Sequence, residues 1–579
     1  MTTSMLPERT NASLLRQLEN GAVRCGLTED QSSRFLPESL VHRVITKDNI
    51  TATLSWLQRV YSQLSPANSL ADKIHSRARK VFAVLTLIGQ ESKIGELIYN
   101  DGITDEDLPL HEVPGPEPGE LVLVSKNTTT GEILKEFPSF KSFGILVVRE
   151  FLEKQWHVLA PVLDSPGTHL ELDPRCPLPI ENSSLKVRAH GVFVYRASLH
   201  PAHQLWPHDG KSVSLVAIKE IHYEEVFARE WRNLKKIEDL EHPHLVELLA
   251  SCQKGSFRCF IFPWASGGDL WNFWKDKDQS PRTSDSVLWM LEQVLGLIDA
   301  IRAMHEKNIR HGDIKPQNIL HFTGPVEKFG KRGRLVLADL GVSKFHGEHS
   351  TGLRNAPTDT VEVTILYEAP EAEYDRRKKL PRSRRYDMWS SGCMLLEFIV
   401  WLLYGFNAVD TFRSRRFAVS KEDPITPPGS FFQKNSKGHF KINPMVLKAM
   451  EILRKDPRCK QGTTLEELLT LIEGQLLQID PKKRAEATEL HSTLQGIINK
   501  AQECPEFLWQ GVDPSPEIPK FFARSTRRGA RKYSNSSEAS SGSVVSVSSE
   551  SSALSSGWSP RGTNESLVSV ASIESRDEV

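Results

Sequence analysis

The sequence predicts an α+β chain in four parts. A small, mostly α-helical domain is expected over residues 1–110, a linker and packing segment over 111–178, a larger domain of strands and helices over 179–508, and a disordered tail over 525–579. Three observations predict this. Apolar residues recur at helical spacing near the start of the chain. In the middle, short strand-like apolar runs end in Lys or Asp. Past about residue 525 serine becomes dense, aromatics almost vanish and no periodicity survives, a composition that cannot bury enough apolar surface to order a chain.

Taking the elements in order, Ile50, Leu54, Leu57, Tyr61 and Leu64 fall on one helical face. A second helix is expected through Ile74, Val81, Phe82, Leu85 and Ile88, and a shorter one through Ile94, Leu97 and Ile98 that ends near Gly102. These stripes predict the core of a small helical domain. Pro114, Pro116, Pro118 and Gly119 mark a linker. The following segment, about 121–160 with Trp156, is expected to pack between the two domains.

The larger domain carries the chemistry. In Arg310-His311-Gly312-Asp313-Ile314-Lys315-Pro316-Gln317-Asn318, an Asp, a Lys two residues on and an Asn five residues on can serve three tasks at one γ-phosphate. The carboxylate orients a hydroxyl proton, the ammonium neutralises phosphate charge and the amide oxygen holds Mg²⁺. Upstream, Val216-Ala217-Ile218-Lys219 is an apolar strand ending in Lys. An amphipathic segment follows with Phe227, Trp231 and Leu234, and Glu230 beside that face is placed to pair with Lys219. Downstream, Leu335-Val336-Leu337-Ala338 leads into Asp339-Leu340-Gly341, a second carboxylate for Mg²⁺. Ala369-Pro370-Glu371, Asp387-Met388-Trp389-Ser390-x-Gly392 and Asp480-Pro481-x-x-Arg484 complete the series.

In these motifs and their order the chain resembles the eukaryotic protein kinases over about residues 179–508. The resemblance implies a two-lobed fold with ATP and Mg²⁺ between the lobes, Glu371 paired with Arg484, and Asp387 holding the catalytic-loop backbone. It aligns Phe260 to Leu270 with the segment joining the lobes. Phe262 then stands at the back of the nucleotide pocket, the Pro263 carbonyl accepts from adenine and the Ala265 N–H donates to it. Val187, Val194, Ala217 and Leu320 line the same pocket. Pro263 has no N–H, but that costs no adenine bond, because its carbonyl is retained. The Pro263-Trp264-Ala265-x-Gly267-Gly268 sequence and the Trp271 and Trp274 aromatics are similar to filamentous-fungal kinases with helical N-terminal extensions.

Two positions depart from the family pattern. Aligning Val194 with the motif's Val puts Val187, Ala189 and Val192 at the three glycine positions of the phosphate-covering loop, with a displaced Gly191. Side chains there hold backbone away from phosphate oxygens, so a pseudokinase scaffold acting through the N-terminal helices and the tail stands as the alternative to an active kinase. Lys219, Glu230, Asp313, Asn318 and Asp339 are nonetheless all present. Gly312 stands where many kinases carry an Arg that receives an activation-loop phosphate, so Ser350, Thr351, Thr358 and Thr360 have lost their main cationic partner. Lys315, Thr364 and Tyr367 follow the serine/threonine pattern, Thr364 being implied to bridge Asp313 and Lys315.

Composition bounds the rest. At 579 residues the chain fits two folded domains and a tail, and its net charge of zero suggests neither nucleic acid nor membrane as partner. Seven Cys without a Cys-x-x-Cys pair fit a reducing compartment better than a zinc or disulfide framework. Residues 1–10 have no signal-peptide core, and the apolar run 394–406 is short and broken by Glu397, so a soluble cytoplasmic or nuclear protein is expected. The basic run 376–385 reads as a solvated loop, a dock for acidic substrates or a nuclear signal. In the tail, Ser534 and Ser559 stand as phosphorylation candidates, Ser534 beside Arg531 and Ser559 before Pro560.

Overall fold

The computed structural model describes residues 8–27, 33–60, 67–116, 120–127, 130–189, 191–205, 215–278, 282–324, 329–340, 366–372, 383–419, 426–435, 438–508 and 517–524. The tail 525–579, the segment holding Thr351, Thr358, Thr360 and Thr364, and the part of the basic run before Ser383 lie outside them.

Apolar stripes near the start of the chain fold as the periodicity predicts. Helices α1 (Glu8–Gly21), α2 (Glu38–Val44), α3 (Lys47–Val60), α4 (Ala67–Arg77), α5 (Arg79–Leu87) and α6 (Ile94–Tyr99) bury Leu14, Leu18, Ile50, Leu54, Leu57, Ile74, Phe82 and Leu97 in one core. Tyr61 and Leu64 lie outside the described residues. The helix expected through Ile74 and Ile88 is two helices, because Ala78 leaves helical geometry at φ −137° and ψ 36°. The break frees α5 to lie inside the core, with every residue from Val81 to Thr86 buried, and a helix so enclosed is apolar nearly all round.

The first core is also less purely helical than the sequence suggests. Strands β3 (Leu110–Pro114), β4 (Leu121–Lys126) and β5 (Ile133–Glu136) form an antiparallel sheet in that order, after a short pair, β1 (Val23–Arg24) and β2 (Arg34–Phe35). Helix α7 (Ile145–Lys154) follows, and Leu123, Phe137, Phe140, Phe151 and Val158 all enter the helices' own core. This stretch completes the first core, where the sequence reading has it packing between domains.

The second sheet has six strands in the order β6-β10-β11-β9-β8-β7. They are β6 (Thr168–Leu172), β7 (Ile180–Ala189), β8 (Val192–Leu199), β9 (Leu215–Ile221), β10 (Ala250–Lys254) and β11 (Phe257–Pro263). All pairings are antiparallel except β6 on β10, so a strand from before residue 179 extends this sheet. Across the sheet, Cys252, Cys259, Val216, Ile218 and Ala197 bury one face. Helix α8 (Glu224–Glu238) packs on the other through Phe227, whose ring stacks on Phe260 at 4.6 Å.

Below it lies a mainly helical lobe. Helix α9 (Leu270–Asp276) is capped by the Asp269 side chain accepting from the Asn272 N–H, and α10 (Ser284–Glu306) by Thr283 accepting from the Ser286 N–H. Helix α11 (Arg385–Tyr404) contains most of the apolar run and is buried from Tyr386 onward. Its Glu397 has no solvent exposure and is held by Arg416, Nη2 to Oε1 2.7 Å, itself fully buried. No helix among the described residues is long and apolar enough to cross a membrane.

Candidate active site

Strand β9 explains how Lys219 reaches the cleft. Side chains alternate across a strand, so Val216 and Ile218 face the buried side while Ala217 and Lys219 face the other. Direct partners share a face: Lys219 lies opposite Val194 on β8, which lies opposite Val187 on β7. Ala217 lies opposite Phe262 on β11. Register alone therefore brings Val187, Val194, Ala217, Lys219 and Phe262 to one surface of the sheet. Two strands farther on, β12 (Ile319–Phe322) pairs antiparallel with β13 (Arg334–Leu337). Leu320, Ala265 and Phe262 pack there around Val246, Val336 and Ala338, forming the opposing floor. The Ala265 N–H donates to no other described group, whereas its carbonyl accepts from Gly268 at 3.1 Å.

Lys219 is the hub of the charged cluster. Its Nζ donates to Glu230 Oε1 at 2.7 Å and to Asp339 Oδ1 at 2.6 Å. Burial disfavours the ammonium, but Asp339 and Glu230 outweigh it and hold the Lys219 pKa above its ordinary value. Burial pushes the Glu230 carboxyl up, with Lys219 opposing. Asp339 is also desolvated, yet Lys219 beside it, with Lys315, keeps its pKa below the usual carboxylate value. Its backbone sits at φ +68°, a left-handed conformation that Asp tolerates better than most residues.

The catalytic-loop residues form the other half. Lys315 Nζ donates to Asp313 Oδ2 at 2.8 Å, and Asn318 Nδ2 donates to the same oxygen and to the Asp313 carbonyl, both at 2.8 Å. Asn318 thus turns its amide nitrogen to Asp313, which leaves its amide oxygen as a group that could hold a metal ion. The halves are joined by backbone, the Ala338 N–H donating to the Asn318 carbonyl at 2.9 Å. His311 adds a second tie. Burial lowers its pKa, and its partners fix the neutral tautomer: Nε2–H donates to the Ala338 carbonyl at 3.1 Å while Nδ1 accepts from the Asp313 N–H at 3.3 Å.

Asp387, fully buried at the start of α11, accepts from the N–H groups of His311 at 2.9 Å and Gly312 at 2.8 Å, and contacts His305 Nε2 at 2.8 Å. Gly312 adopts φ +79°, so a residue with a side chain would be strained where this chain has none. Arg484 grips Glu371 with both terminal nitrogens, at 2.7 and 2.8 Å. Both anchoring pairs expected from the resemblance are present.

The β7–β8 hairpin shows what replaces the glycine-rich loop. Ala189 pairs with Val192 and Val187 with Val194, and Gly191 between the strands adopts φ +76°. A Cβ on Gly191 would stand 2.5 Å from the Tyr223 ring. Gly191 is therefore a turn glycine rather than a displaced phosphate-loop glycine. Of the expected site residues, Thr364 lies outside the described residues; Lys219, Glu230, Asp339, Asp313, Lys315 and Asn318 form the charged groups, Val187, Val194 and Ala217 share the Lys219 face of the sheet, Ala265 and Leu320 pack together nearby, and Pro263 lies opposite Val216. The sequence reading missed His311 and Asn233, whose Nδ2 ties α8 to the Leu340 carbonyl at 3.1 Å. His311 adjoins the motif and was within reach of sequence reasoning, whereas nothing local marks Asn233.

Comparison with known proteins agrees with this geometry. Residues 208–494 match the family model described as the protein kinase domain, a match that begins after the β7–β8 hairpin. Human serine/threonine-protein kinase 16 is 34% identical over 165 residues, 27% of this chain and 50% of that protein. The Caenorhabditis elegans serine/threonine-protein kinase nekl-2 is 31% identical over 170 residues, 29% of this chain and 42% of that protein. Arabidopsis thaliana serine/threonine-protein kinase TIO is 28% identical over 240 residues, 41% of this chain and 16% of that protein. The chain thus spans half or less of these relatives' own lengths. Over residues 208–494 it carries a segment that matches the protein kinase domain.

Proposed function

We propose that this chain is a protein serine/threonine kinase that transfers the γ-phosphate of ATP, in the presence of Mg²⁺, to a protein hydroxyl. The observation that carries the reading is the Lys219 contact with both Glu230 and Asp339, set by the Ala338–Asn318 bond against the Asp313–Lys315–Asn318 cluster. Lys219, desolvated and kept protonated by two carboxylates, is built to receive the α- and β-phosphates, with Glu230 fixing its direction. Asp313 orients the acceptor hydroxyl and takes its proton, while Lys315 offsets charge at the γ-phosphate. Asp339 and the Asn318 amide oxygen supply hard oxygen ligands, which suit Mg²⁺. The ion's contribution when bound is to neutralise charge on the transferring phosphate. The Pro263 carbonyl and the Ala265 N–H take adenine, between Val187, Val194 and Ala217 above and Leu320 below. The serine/threonine assignment rests on Lys315, on Thr364 seven residues before Glu371, and on the names of the relatives.

A scaffold reading has one observation in its favour: the hairpin pairs through Ala189 and Val192, which leaves side chains where glycines would let backbone approach phosphate. One experiment separates the two. Mg·ATP should raise the melting temperature of the purified chain, and γ-labelled ATP should label it or a basic protein substrate. Asp339→Asn should abolish the labelling and leave the fold intact. An Asp339→Asn protein that labels substrate as fast as the parent removes the kinase assignment.

A further inference from the structure

Helix α8 is held from two sides. Toward the cleft Asn233 reaches the Leu340 carbonyl and Glu230 reaches Lys219. An adjoining flank carries Phe227, Trp231, Lys235 and Glu238, which follow one another at three- and four-residue spacing and so share a face. That face meets β6 and the turn before it, a segment outside the 208–494 kinase match. Lys235 Nζ donates to the Gly167 carbonyl at 3.0 Å and to Glu238 Oε2 at 2.8 Å. Gly167, at φ +78°, lies so close to α8 that an added Cβ would fall 1.7 Å from Glu238 Oε1. The His169 ring lies 5.2 Å from the Trp231 ring and 6.4 Å from Phe227, and its Nδ1 is 2.8 Å from the buried Ser251 hydroxyl.

The far side of this segment is anchored. Strand β6 pairs along its whole length with β10, from Thr168 opposite Ala250 to Leu172 opposite Lys254. The Gly167 N–H donates to the Leu248 and Leu249 carbonyls at 2.9 and 3.0 Å. Upstream, the Leu163 N–H donates to the His203 carbonyl at 2.9 Å, and the Leu205 N–H to the Leu163 carbonyl at 2.8 Å.

From this we infer that residues 163–172 are a built-in brace for α8, with His169 and the Gly167 carbonyl acting as positioning groups that keep Glu230 on Lys219. The inference rests on the kinase reading and adds to it a source of order for the helix that carries Glu230. In a chain without the phosphate-receiving Arg, the helix carrying Glu230 is set by a strand of the same polypeptide. Neither His169 nor Lys235 touches the cleft groups, so their effect is transmitted through α8.

The test uses the full chain with the double variant His169→Ala, Lys235→Met. Loosening the brace lowers the fraction of molecules in which Glu230 engages Lys219, so kcat should fall roughly three- to thirtyfold, with the KM for peptide substrate unchanged. His169→Phe with Lys235→Arg, which keeps a ring and a donor, should restore it. Hydrogen exchange of the α8 amides gives a reading independent of turnover: it should rise over Glu224–Glu238 in the double variant and stay unchanged in α10. Unchanged kcat in an active protein, or unchanged α8 exchange in any protein, overturns the brace. A parent chain without turnover whose α8 exchange rises as expected overturns the kinase reading and leaves the brace standing.

Discussion

Replacing Asp387 by Asn changes one oxygen to an NH₂ group at a site with no solvent. The carboxylate accepts from the His311 and Gly312 N–H groups, one on each oxygen, and His305 meets the same oxygen as His311. Burial would raise its pKa, but the His305 hydrogen bond, with the Arg310 charge nearby, holds it below the ordinary value. An Asn can accept on one side only, so its amide hydrogens must face a backbone N–H or the His305 ring. Losing a charge-assisted hydrogen bond and leaving a buried donor unmet each cost about 1.5–3 kcal/mol, so the variant should lose about 3–6 kcal/mol. At an unfolding entropy of about 2.1 cal/mol/K per residue, a protein of this size shifts by roughly 1 °C per kcal/mol, so the melting temperature should fall by roughly 3–6 °C. Asp387 has no path to substrate, so turnover should fall through displacement of Asp313, with kcat dropping while the KM for ATP changes little. Urea unfolding followed by tryptophan fluorescence reads the first effect and steady-state kinetics the second. A loss below 1 kcal/mol, or an unaltered kcat, would refute the view that this carboxylate fixes the catalytic loop.

Restoring glycine at Val187, Ala189 and Val192 should lower the KM for ATP, since backbone would then approach the phosphates; an unchanged or higher KM in initial-rate assays speaks against it. Changing Thr351, Thr358 and Thr360 together to Ala should reduce activity by no more than a few-fold, and a large loss with folding preserved would mean that phosphorylation there does switch the enzyme. Acid should destabilise the fold well before its carboxylates protonate: His157, His203 and His244 have pKa values pushed by burial from 6.5 to about 4. The unfolded chain then binds protons that the folded chain does not, so their contribution is complete above pH 6.5 and is lost as pH falls toward 4. At about 1.4 kcal/mol per histidine per pH unit, unfolding at pH 5.5 should show a deficit of about 4 kcal/mol relative to pH 7.

What the sequence by itself determined is the chemistry written at short range. Asp313, Lys315 and Asn318 lie within one loop, so their spacing alone places them around a common oxygen. Lys219 and Ala217 fall on one strand face by alternation, and the α3 stripe of Ile50, Leu54 and Leu57 lies in the core as its period requires. What only the tertiary structure decided depends on pairings between distant segments. Strand β6 joins β10 across about 80 residues of chain, and a short strand of mixed polarity does not announce its edge partner. The break at Ala78 is likewise set by packing, because two short helices bury α5 on every side and one long helix cannot. Gly191 and Gly312 read from the sequence as departures from the family pattern; their positive φ values show that glycine suits both positions, the first at the β7–β8 hairpin and the second in a loop whose amides meet Asp387. Backbone conformation of that kind is selected by the contacts the chain closes at long range, and it leaves no periodic trace in the residues.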